Sequence, residues 1–370
     1  MMGSIQRRAC LIVGVAFLAV GPVAGPLSGG ESKWKGLWTD PSDPELPLEF
    51  HLQGEYVGQI EGGAKLGCQV IALAQGAFQA VVYPGGLPGD GWDGKNKMLM
   101  DGRMDGEHTV FEPAGGNKKY LGKSPEEFSA TRQFPPEGHK EYCAAISGET
   151  MTGKTDDGKA FELKKTVRKN PTIGQEPPAD AIVLFDGTGK DEWNGGRLDE
   201  ETKLLNTDGK DMRTKRSFSN YVMHVEFMLP FRPDARGQGR GNSGFYQVDH
   251  YEMQILDSFG LEGLDNECGG IYKKAIPKVN MCFPPLVWQT YDVDFTNAIR
   301  DENGNKTKNA VMSVKHNGVV IYENQEINGP TGGHRSEPEG TPGPLKLQGH
   351  GNPLQYRNIW IVEKQASQEK

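Results

Sequence analysis

The sequence predicts an all-β protein built from two β-rich domains. Short runs in which apolar and polar side chains alternate recur along the chain, and a period of two is typical of β-strands. Turn residues separate these runs, since the 370 residues include 50 glycines and 24 prolines, whereas few segments repeat with a helical period. A chain of this length also exceeds one typical domain, which favours two.

The chain divides into four predicted segments. Residues 1–30 resemble a secretory signal peptide, because two arginines precede an apolar run that is too short to cross a bilayer of about 30 Å. An uncleaved membrane anchor is the alternative. Residues 31–167 form a smaller β-rich accessory domain, and the proline-containing residues 168–180 form a linker. Residues 181–364 form a β-sandwich of the jelly-roll type, and the protein is expected to be secreted or periplasmic.

Two turn signals support the strand assignments. Asp157-Gly158 lies between two strand-like runs of the first domain, and Asn317-Gly318 lies between two in the second. Asn-Gly and Asp-Gly are the dipeptides that two-residue hairpin turns prefer. Each is therefore predicted to be the turn of an antiparallel hairpin.

Charge and cysteine spacing limit the partners. The net charge is −8, with no basic cluster that would neutralise phosphates, so neither nucleic acid nor, after signal cleavage, a membrane is a predicted partner.

Four cysteines of the exported chain allow three pairings. Pairing within domains predicts Cys68–Cys143 and Cys268–Cys282, with free buried thiols as the alternative. No CxxC or HxxxH spacing accompanies them, so no metal or other cofactor is predicted, although a metal requirement stays open.

The segment around residue 252 carries polar side chains on one strand face. Tyr251, Met253 and Ile255 point one way, while His250, Glu252 and Gln254 point the other. A face of this composition that ends at Asp257 suits the binding of sugar hydroxyls. An ordinary solvated face is the alternative.

A second alternating segment lies near the C-terminus. Leu345 and Leu347 alternate there with Lys346, Gln348 and His350. If both polar faces belong to one concave sheet, they converge on one cleft, with Arg357 at its edge. A one-residue slip in register would drive these groups into the apolar core.

Five motifs resemble the 3-keto-disaccharide hydrolase family. They are Ala-Ile-Val-Leu-Phe-Asp-Gly, Asn-Ser-Gly-Phe-Tyr, Tyr-Glu-Met-Gln-Ile-Leu-Asp, Trp-Gln-Thr-Tyr-Asp-Val and Leu-Gln-Gly-His-Gly-Asn-Pro, in this order between residues 181 and 353. The resemblance implies a concanavalin-A-like sandwich that binds a carbohydrate substrate on its concave sheet. It also implies an enzyme that cleaves 3-keto-glycosides by removal of the C2 proton, elimination and hydration.

That chemistry needs a base near neutral pH and donors for an enolate oxygen. His350, between two glycines, is the predicted base because of its intrinsic pKa. Arg357, Lys346 or Gln348 would donate to the enolate. Glu252 would bind hydroxyls, and basic neighbours are expected to lower its pKa and keep it ionised.

Other residues have two interpretations each. Arg240 is predicted to reach the sugar from a glycine-rich rim. Asn242 either binds substrate or forms only a tight turn, and Tyr246 either binds substrate or is a core aromatic. Arg357 is alternatively a structural partner of a buried carboxylate, and His350 alternatively caps its loop.

Two other functions remain open. Glu252 and Asp257 would form the carboxylate pair of a laminarinase-like glycosidase if a β-bulge brought them to one face. Gln254 stands at the place of that motif's middle carboxylate, which argues against it. A non-catalytic carbohydrate-binding module is the other alternative, because a polar concave face also serves a lectin.

Overall fold

The computed structural model describes residues 36–106 and 108–365 and confirms the all-β prediction. Its helices are one α-helix, α1 (Leu48–Leu52), and one 3-10 turn (Gly237–Gly239). No helix among the described residues is long and apolar enough to span a bilayer. The predicted signal peptide, residues 1–30, lies outside the described residues.

Eight of the first ten strands form a closed antiparallel barrel. Their order is β1-β10-β9-β8-β5-β4-β3-β2, and β1 pairs with β2 to close the ring. A short parallel pair, β6 and β7, is inserted between β5 and β8. The strands are β1 (Gly54–Ile60), β2 (Lys65–Ala72), β3 (Ala77–Pro84), β4 (Met98–Asp105), β5 (His108–Pro113), β6 (Lys119–Tyr120), β7 (Phe128–Ser129), β8 (Cys143–Ser147), β9 (Thr150–Lys154) and β10 (Ala160–Thr166).

The remaining strands form two stacked sheets. An eight-stranded sheet has the order β13-β14-β25-β16-β19-β22-β23, with β11 also paired to β25, and a five-stranded sheet has the order β12-β15-β24-β17-β18. The strands are β11 (Ile182–Phe185), β12 (Trp193–Asn194), β13 (Arg197–Leu198), β14 (Leu205–Asn206), β15 (Met212–Thr214), β16 (Tyr221–Met228), β17 (Ser243–Gln247), β18 (Tyr251–Ile255), β19 (Trp288–Thr296), β20 (Ile299–Arg300), β21 (Lys306–Lys308), β22 (Ala310–His316), β23 (Val319–Ile327), β24 (Lys346–Leu347) and β25 (Gln355–Glu363). Strands β20 and β21 pair only with each other.

Both predicted hairpin turns are present. Asn317 and Gly318 join β22 to β23 with φ of 51° and 78°, the left-handed backbone that a type I′ turn requires. Gly158, with φ of 84°, turns the chain between β9 and β10.

The outer wall of the barrel packs into the apolar core of the sandwich, while the barrel interior forms a core of its own. Alternation along β2 sends Cys68 and Val70 into the barrel interior. Ile71, on the opposite face of the strand, packs with Phe259 and Leu261 of the sandwich in a single buried cluster. The outer wall of the barrel is therefore part of the core of the sandwich.

The segment predicted as a linker is held against the eight-stranded sheet. Gly174 N donates to Glu226 Oε1 at 2.5 Å, and Asn358 Nδ2 donates to Gln175 O at 3.0 Å. These hydrogen bonds fix residues 168–180 to the sandwich surface, so composition alone misses their ordered path.

The predicted disulfides are wrong for this structure. Cys68, Cys268 and Cys282 are buried free thiols. Cys68 lies in the barrel interior, and Cys268 Sγ lies 3.3 Å from the hydroxyl of Tyr291. Spacing along the chain identified cysteines of one domain but could not establish which sulfur atoms are bonded.

Candidate active site

The β17–β18 hairpin carries the first part of the site. Along β18, Tyr251, Met253 and Ile255 enter the sandwich core. Glu252 and Gln254 therefore face the other side of the five-stranded sheet, as the sequence predicts.

The turn of this hairpin has an unusual backbone. Val248 and Asp249 have φ of 46° and 54°, and left-handed backbone is unfavourable for a β-branched residue such as Val248. The Asp249 carboxylate accepts a hydrogen bond from Arg213 Nε at 2.8 Å and pairs with Lys346 Nζ at 2.6 Å. These two ion pairs hold the strained turn against the neighbouring strands.

Strand register places four side chains in one line across the sheet. Tyr246 is paired with Glu252 on one side and with Lys346 on the other, and Lys346 is paired with Arg213. Directly opposed residues lie on the same face of a sheet. Glu252, Tyr246, Lys346 and Arg213 thus form a polar row that draws on four different strands.

The phenol at the centre of the polar row connects its neighbours. The Tyr246 hydroxyl lies 2.8 Å from both Glu252 Oε2 and Gly332 O, and Gln348 Nε2 donates to it at 3.3 Å. Lys346 Nζ lies 3.5 Å from the centre of the Tyr246 ring. Because a phenol has one proton, a protonated Glu252 satisfies this geometry by donating to the Tyr246 oxygen while Tyr246 donates to Gly332 O.

Glu252 has a pKa matched to neutral solution. Burial raises the pKa of its carboxyl to about 7, and the Asp211 carboxylate adds to the rise. The hydrogen bond from Tyr246 and the charge of Lys346 lower the pKa but do not outweigh burial. The expectation that basic neighbours keep the pKa of Glu252 low is therefore wrong, since only 3% of this residue is exposed and Lys346 already pairs with Asp249.

Gly244 makes room for the Glu252 carboxylate. A Cβ atom at residue 244 would lie 2.2 Å from Glu252 Oε1 and 2.9 Å from Tyr246 Cε2. No side chain fits there without displacing the polar row. The glycine of the Asn-Ser-Gly motif thus has a packing role that a tight-turn interpretation overlooks.

A loop formed by residues 331–335, here called the roof loop, covers the polar row. Thr331 Oγ1 accepts a hydrogen bond from Glu252 N at 2.9 Å, and Lys346 Nζ donates to Gly333 O at 2.6 Å. Arg335 N donates to Asp249 O at 3.0 Å. The roof loop is therefore hydrogen-bonded to three residues of the site, Glu252, Lys346 and Asp249.

Amide side chains form a polar cluster next to the polar row. Asn242 Nδ2 and Gln254 Nε2 lie 3.1 Å and 3.2 Å from Gln238 Oε1. Among the described residues, nothing donates to the buried oxygens Asn242 Oδ1 and Gln254 Oε1. Buried acceptors without donors are costly, and sugar hydroxyls would satisfy them.

Asp257 and Arg240 do not join this site. Arg240 Nε lies 2.5 Å from Asp257 Oδ2 in a buried ion pair, and Arg240 Nη1 donates to Ala72 O of the barrel. Asp257 also accepts from Phe259 N. Both side chains therefore have structural partners at the junction with the barrel, and the predicted roles of Asp257 in catalysis and Arg240 in sugar binding lose their support.

Arg357 lies on the other sheet, so its predicted place at the cleft edge is wrong. Its Nε donates to Glu226 Oε2 at 2.7 Å, and its guanidinium lies 4.1 Å from the centre of the Trp288 ring. The residue is the structural partner of a buried carboxylate, although that carboxylate is neither Glu252 nor Asp257.

The two predicted histidines occupy different surroundings. His250 Nε2 hydrogen-bonds to Glu337 O at 2.7 Å, and burial lowers the pKa of the ring. His350 is exposed in the loop after β24. The adjacent Gly349 N donates to Asp211 Oδ1 at 3.0 Å, which ties this loop to the carboxylate that also acts on Glu252. The catalytic role of His350 stays a prediction.

Sequence reasoning missed Arg213, Asp211, Asp249 and the roof loop. Only strand register and loop folding bring these residues to the site. The Gly332-Gly333 pair was the one available signal for the roof loop. Within residues 36–106 and 108–365, no three or more His, Cys, Asp or Glu side chains are grouped to hold a metal ion.

Residues 180–362 match a family described as 3-keto-alpha-glucoside-1,2-lyase-like domains. A solved candidate glycosyl hydrolase from Parabacteroides distasonis is 31% identical with a TM-score of 0.46, over 50% of this chain and 85% of that one. Another from the same organism is 19% identical with a TM-score of 0.37, over 50% of this chain and 94% of that one. No curated protein matches the chain.

The fold, the polar row and the family match define a glycosidase-like protein. Its sandwich, residues 180–362, belongs to the 3-keto-disaccharide hydrolase family.

Proposed function

We propose that the protein cleaves the glycosidic bond of 3-keto-glycosides and that Glu252 is the base. The observation that carries this proposal is a buried carboxyl with a pKa of about 7, aligned with a phenol and a cation. A general base acts best when its pKa lies near the working pH. Glu252 thus replaces His350 as the first candidate.

The proposed reaction begins at C2 of the oxidised sugar. The C3 carbonyl acidifies the C2 hydrogen, and the Glu252 carboxylate takes this proton while the electron pair forms the enolate. The enolate then expels the oxygen substituent of C1, which leaves with a proton, and a C1–C2 double bond forms. Water adds its oxygen to C1, and a proton returns to C2.

The other members of the polar row match the needs of the enolate. Lys346 supplies a fixed positive charge, and Tyr246 and Gln348 supply hydrogen-bond donors in a site that the roof loop shields from water. Asn242 and Gln254 have free acceptor oxygens for sugar hydroxyls. His350, exposed after β24, is assigned to the proton of the leaving group.

Substrate entry requires the roof loop to move. Glu252, Tyr246 and Lys346 are 3%, 1% and 1% exposed, so a sugar ring cannot reach them in the covered state. Loops that close over a substrate exclude water and complete the catalytic arrangement. We assign that role to the roof loop.

The test uses the full chain and a 3-keto disaccharide in heavy water. The expected result is release of the 3-keto monosaccharide with solvent deuterium at C2, and a loss of at least ~10²-fold in E252Q. E267Q is the matched control, because Glu267 is also a buried carboxyl with a raised pKa but lies in the loop after β18. It should retain turnover.

Two outcomes would contradict the proposal. Hydrolysis of an unoxidised glucan without deuterium at C2 would indicate ordinary glycosidase chemistry. Saturable sugar binding without any product would indicate a lectin-like module, in which E252Q would change affinity alone.

A further inference from the structure

A second cleft lies between the barrel and the sandwich, apart from the polar row. Its volume is about 770 Å³, and we call it the junction cleft. Barrel loops 89–97 and 132–137 line one side, and sandwich loops 262–263 and 276–280 line the other. Clefts between two parts of a chain are frequent ligand sites.

Lys97 is buried in this cleft with a distant carboxylate partner. Its side chain is 7% exposed, and its nearest carboxylate oxygen, Glu262 Oε2, lies 3.8 Å from Nζ. The Glu262 carboxylate is thus a distant partner, and the charges of Glu262 and Glu267 offset only part of the cost of burial. Burial accordingly lowers the pKa of Lys97. A negatively charged ligand within hydrogen-bonding distance would compensate this ammonium more closely than Glu262 does at 3.8 Å.

Trp92 gives the cleft a fixed aromatic wall. Lys97 Nζ lies 5.0 Å from the centre of its ring, and Trp92 Nε1 donates to Asn96 O at 2.8 Å. The Tyr83 ring meets it at 5.2 Å with an interplanar angle of 69°. A rigid, half-buried indole beside a cation combines an apolar surface with a charged anchor.

The three lysines that line the cleft differ in how closely a carboxylate pairs with them. The nearby cation Lys95 is paired with Glu137 at 2.7 Å, and Lys278 is paired with Glu323 at 3.3 Å. Lys97 therefore has the longest ion pair of the three lining lysines, 3.8 Å to Glu262. The lining contains four cations and three carboxylates: Lys95, Lys97, Arg132 and Lys278, with Asp93, Glu137 and Glu262.

We propose that the junction cleft binds an acidic sugar residue, with Lys97 pairing the anionic group and Trp92 supporting the apolar face of the ring. The anionic group is the carboxylate of a uronic acid or the sulfate of a sulfated sugar. The lining comes from both halves of the protein, since Lys97 and Trp92 belong to the barrel and Lys278 to the sandwich. It stands independently of the reaction proposed for Glu252.

Calorimetric titration of the full chain tests this site. The probes are trigalacturonic acid, its uncharged methyl ester and a sulfated galactan tetrasaccharide without uronate. At least one anionic probe should bind at least tenfold more tightly than the ester, and K97M should remove this preference. The two anionic probes tell a carboxylate site from a sulfate site.

Two control variants locate the binding. K273M removes a lysine that lies 5.3 Å from the centre of the Tyr272 ring outside the cleft, and it should bind as wild type does. E252Q should also keep binding, since the polar row is a separate site. Equal loss of binding in E252Q would assign the probe to the polar row and overturn the proposal.

Intrinsic fluorescence provides a second measurement if K97M does not fold. The anionic probe should change the tryptophan emission of wild type, and W92F should lose that change and bind severalfold more weakly. Unchanged binding in W92F, equal binding of the ester, or no binding of either anionic probe at millimolar concentration would each overturn the proposal.

Discussion

The two sheets of the sandwich each bury one glutamate, and the two carboxyls behave in opposite ways. Glu226 in β16 of the eight-stranded sheet is 0% exposed, and Glu252 in β18 of the five-stranded sheet is 3% exposed. The pKa of Glu226 is held at about 2, whereas the pKa of Glu252 is raised to about 7. Burial of the residue therefore does not determine its ionisation.

The number of donors explains the difference. Burial alone would raise the pKa of Glu226, but hydrogen bonds from His224, Asn358, Arg357 and Gly174 outweigh it. The donors lie between 2.5 and 3.5 Å from its oxygens. A carboxylate with this many donors is a structural anchor.

Glu252 lacks such support. Tyr246 OH is its one hydrogen-bond donor among the described side chains. Lys346 directs its ammonium to Asp249 and to Gly333 O, each at 2.6 Å. The five-stranded sheet thus keeps one carboxyl close to its titration point, which is the condition that acid–base chemistry needs.

E226Q should cause the largest change, a loss of stability. The pKa difference between about 2 in the folded chain and 4.5 in the unfolded chain corresponds to about 3 kcal/mol. Glu226 is ionised in both states above pH 4.5, so the full loss is expected at pH 7, and it should fade as pH falls from about 4.5 to about 2.

Denaturant unfolding at several pH values measures this effect. E323Q is the matched control in the same sheet, since Glu323 is 71% exposed and its ion pair with Lys278 should contribute about 1 kcal/mol or less. An E226Q variant as stable as E323Q at pH 7 would contradict the anchoring role.

The pH dependence of turnover should be the next largest effect. As a base, Glu252 acts only when deprotonated, so kcat/KM should rise with pH to a plateau above about 7. Two pH units below that point, turnover should be about a hundredfold lower. The H350A variant should retain the same rise, and its disappearance there would return the base to His350.

E252Q should produce a change opposite in sign to that of E226Q, a gain in stability limited to higher pH. Below pH 4.5, both states of wild type hold the proton and the variant gains nothing. Between pH 4.5 and 7 the unfolded chain loses its proton first, so wild type becomes less stable by up to about 3 kcal/mol above pH 7. Thermal unfolding at about pH 4 and pH 8 measures the gain, and a pH-independent gain would show that the raised pKa is not its cause.

The sequence predicted the part of the site that depends on side-chain alternation. Glu252, Gln254, Lys346 and Gln348 share one face because a period of two determines which side of a strand each residue occupies. The resemblance to the family then predicted that these strands belong to one sandwich. Closure of the first domain into a barrel was not predicted, because strand pairing between distant segments leaves no periodic signal.

The errors arise where distant segments meet. Arg357 lies in a strand-like segment, as a site residue would, yet that strand, β25, belongs to the other sheet. Thr331 of the roof loop accepts a hydrogen bond from Glu252 N, and Asp249 pairs with the lysine that was expected to keep Glu252 ionised. Neither contact is visible in the spacing of residues along one strand.

The apolar contact between the barrel wall and the sandwich couples the folding of the two parts. Ile71 of the barrel wall packs with Phe259 of the sandwich, and Arg240 donates to the backbone of the barrel strand at Ala72. Separation of the two parts would expose these apolar surfaces and leave a buried guanidinium without an acceptor. The protein should therefore fold and unfold as a single cooperative unit, and a substitution on either side of the contact acts on the stability of both.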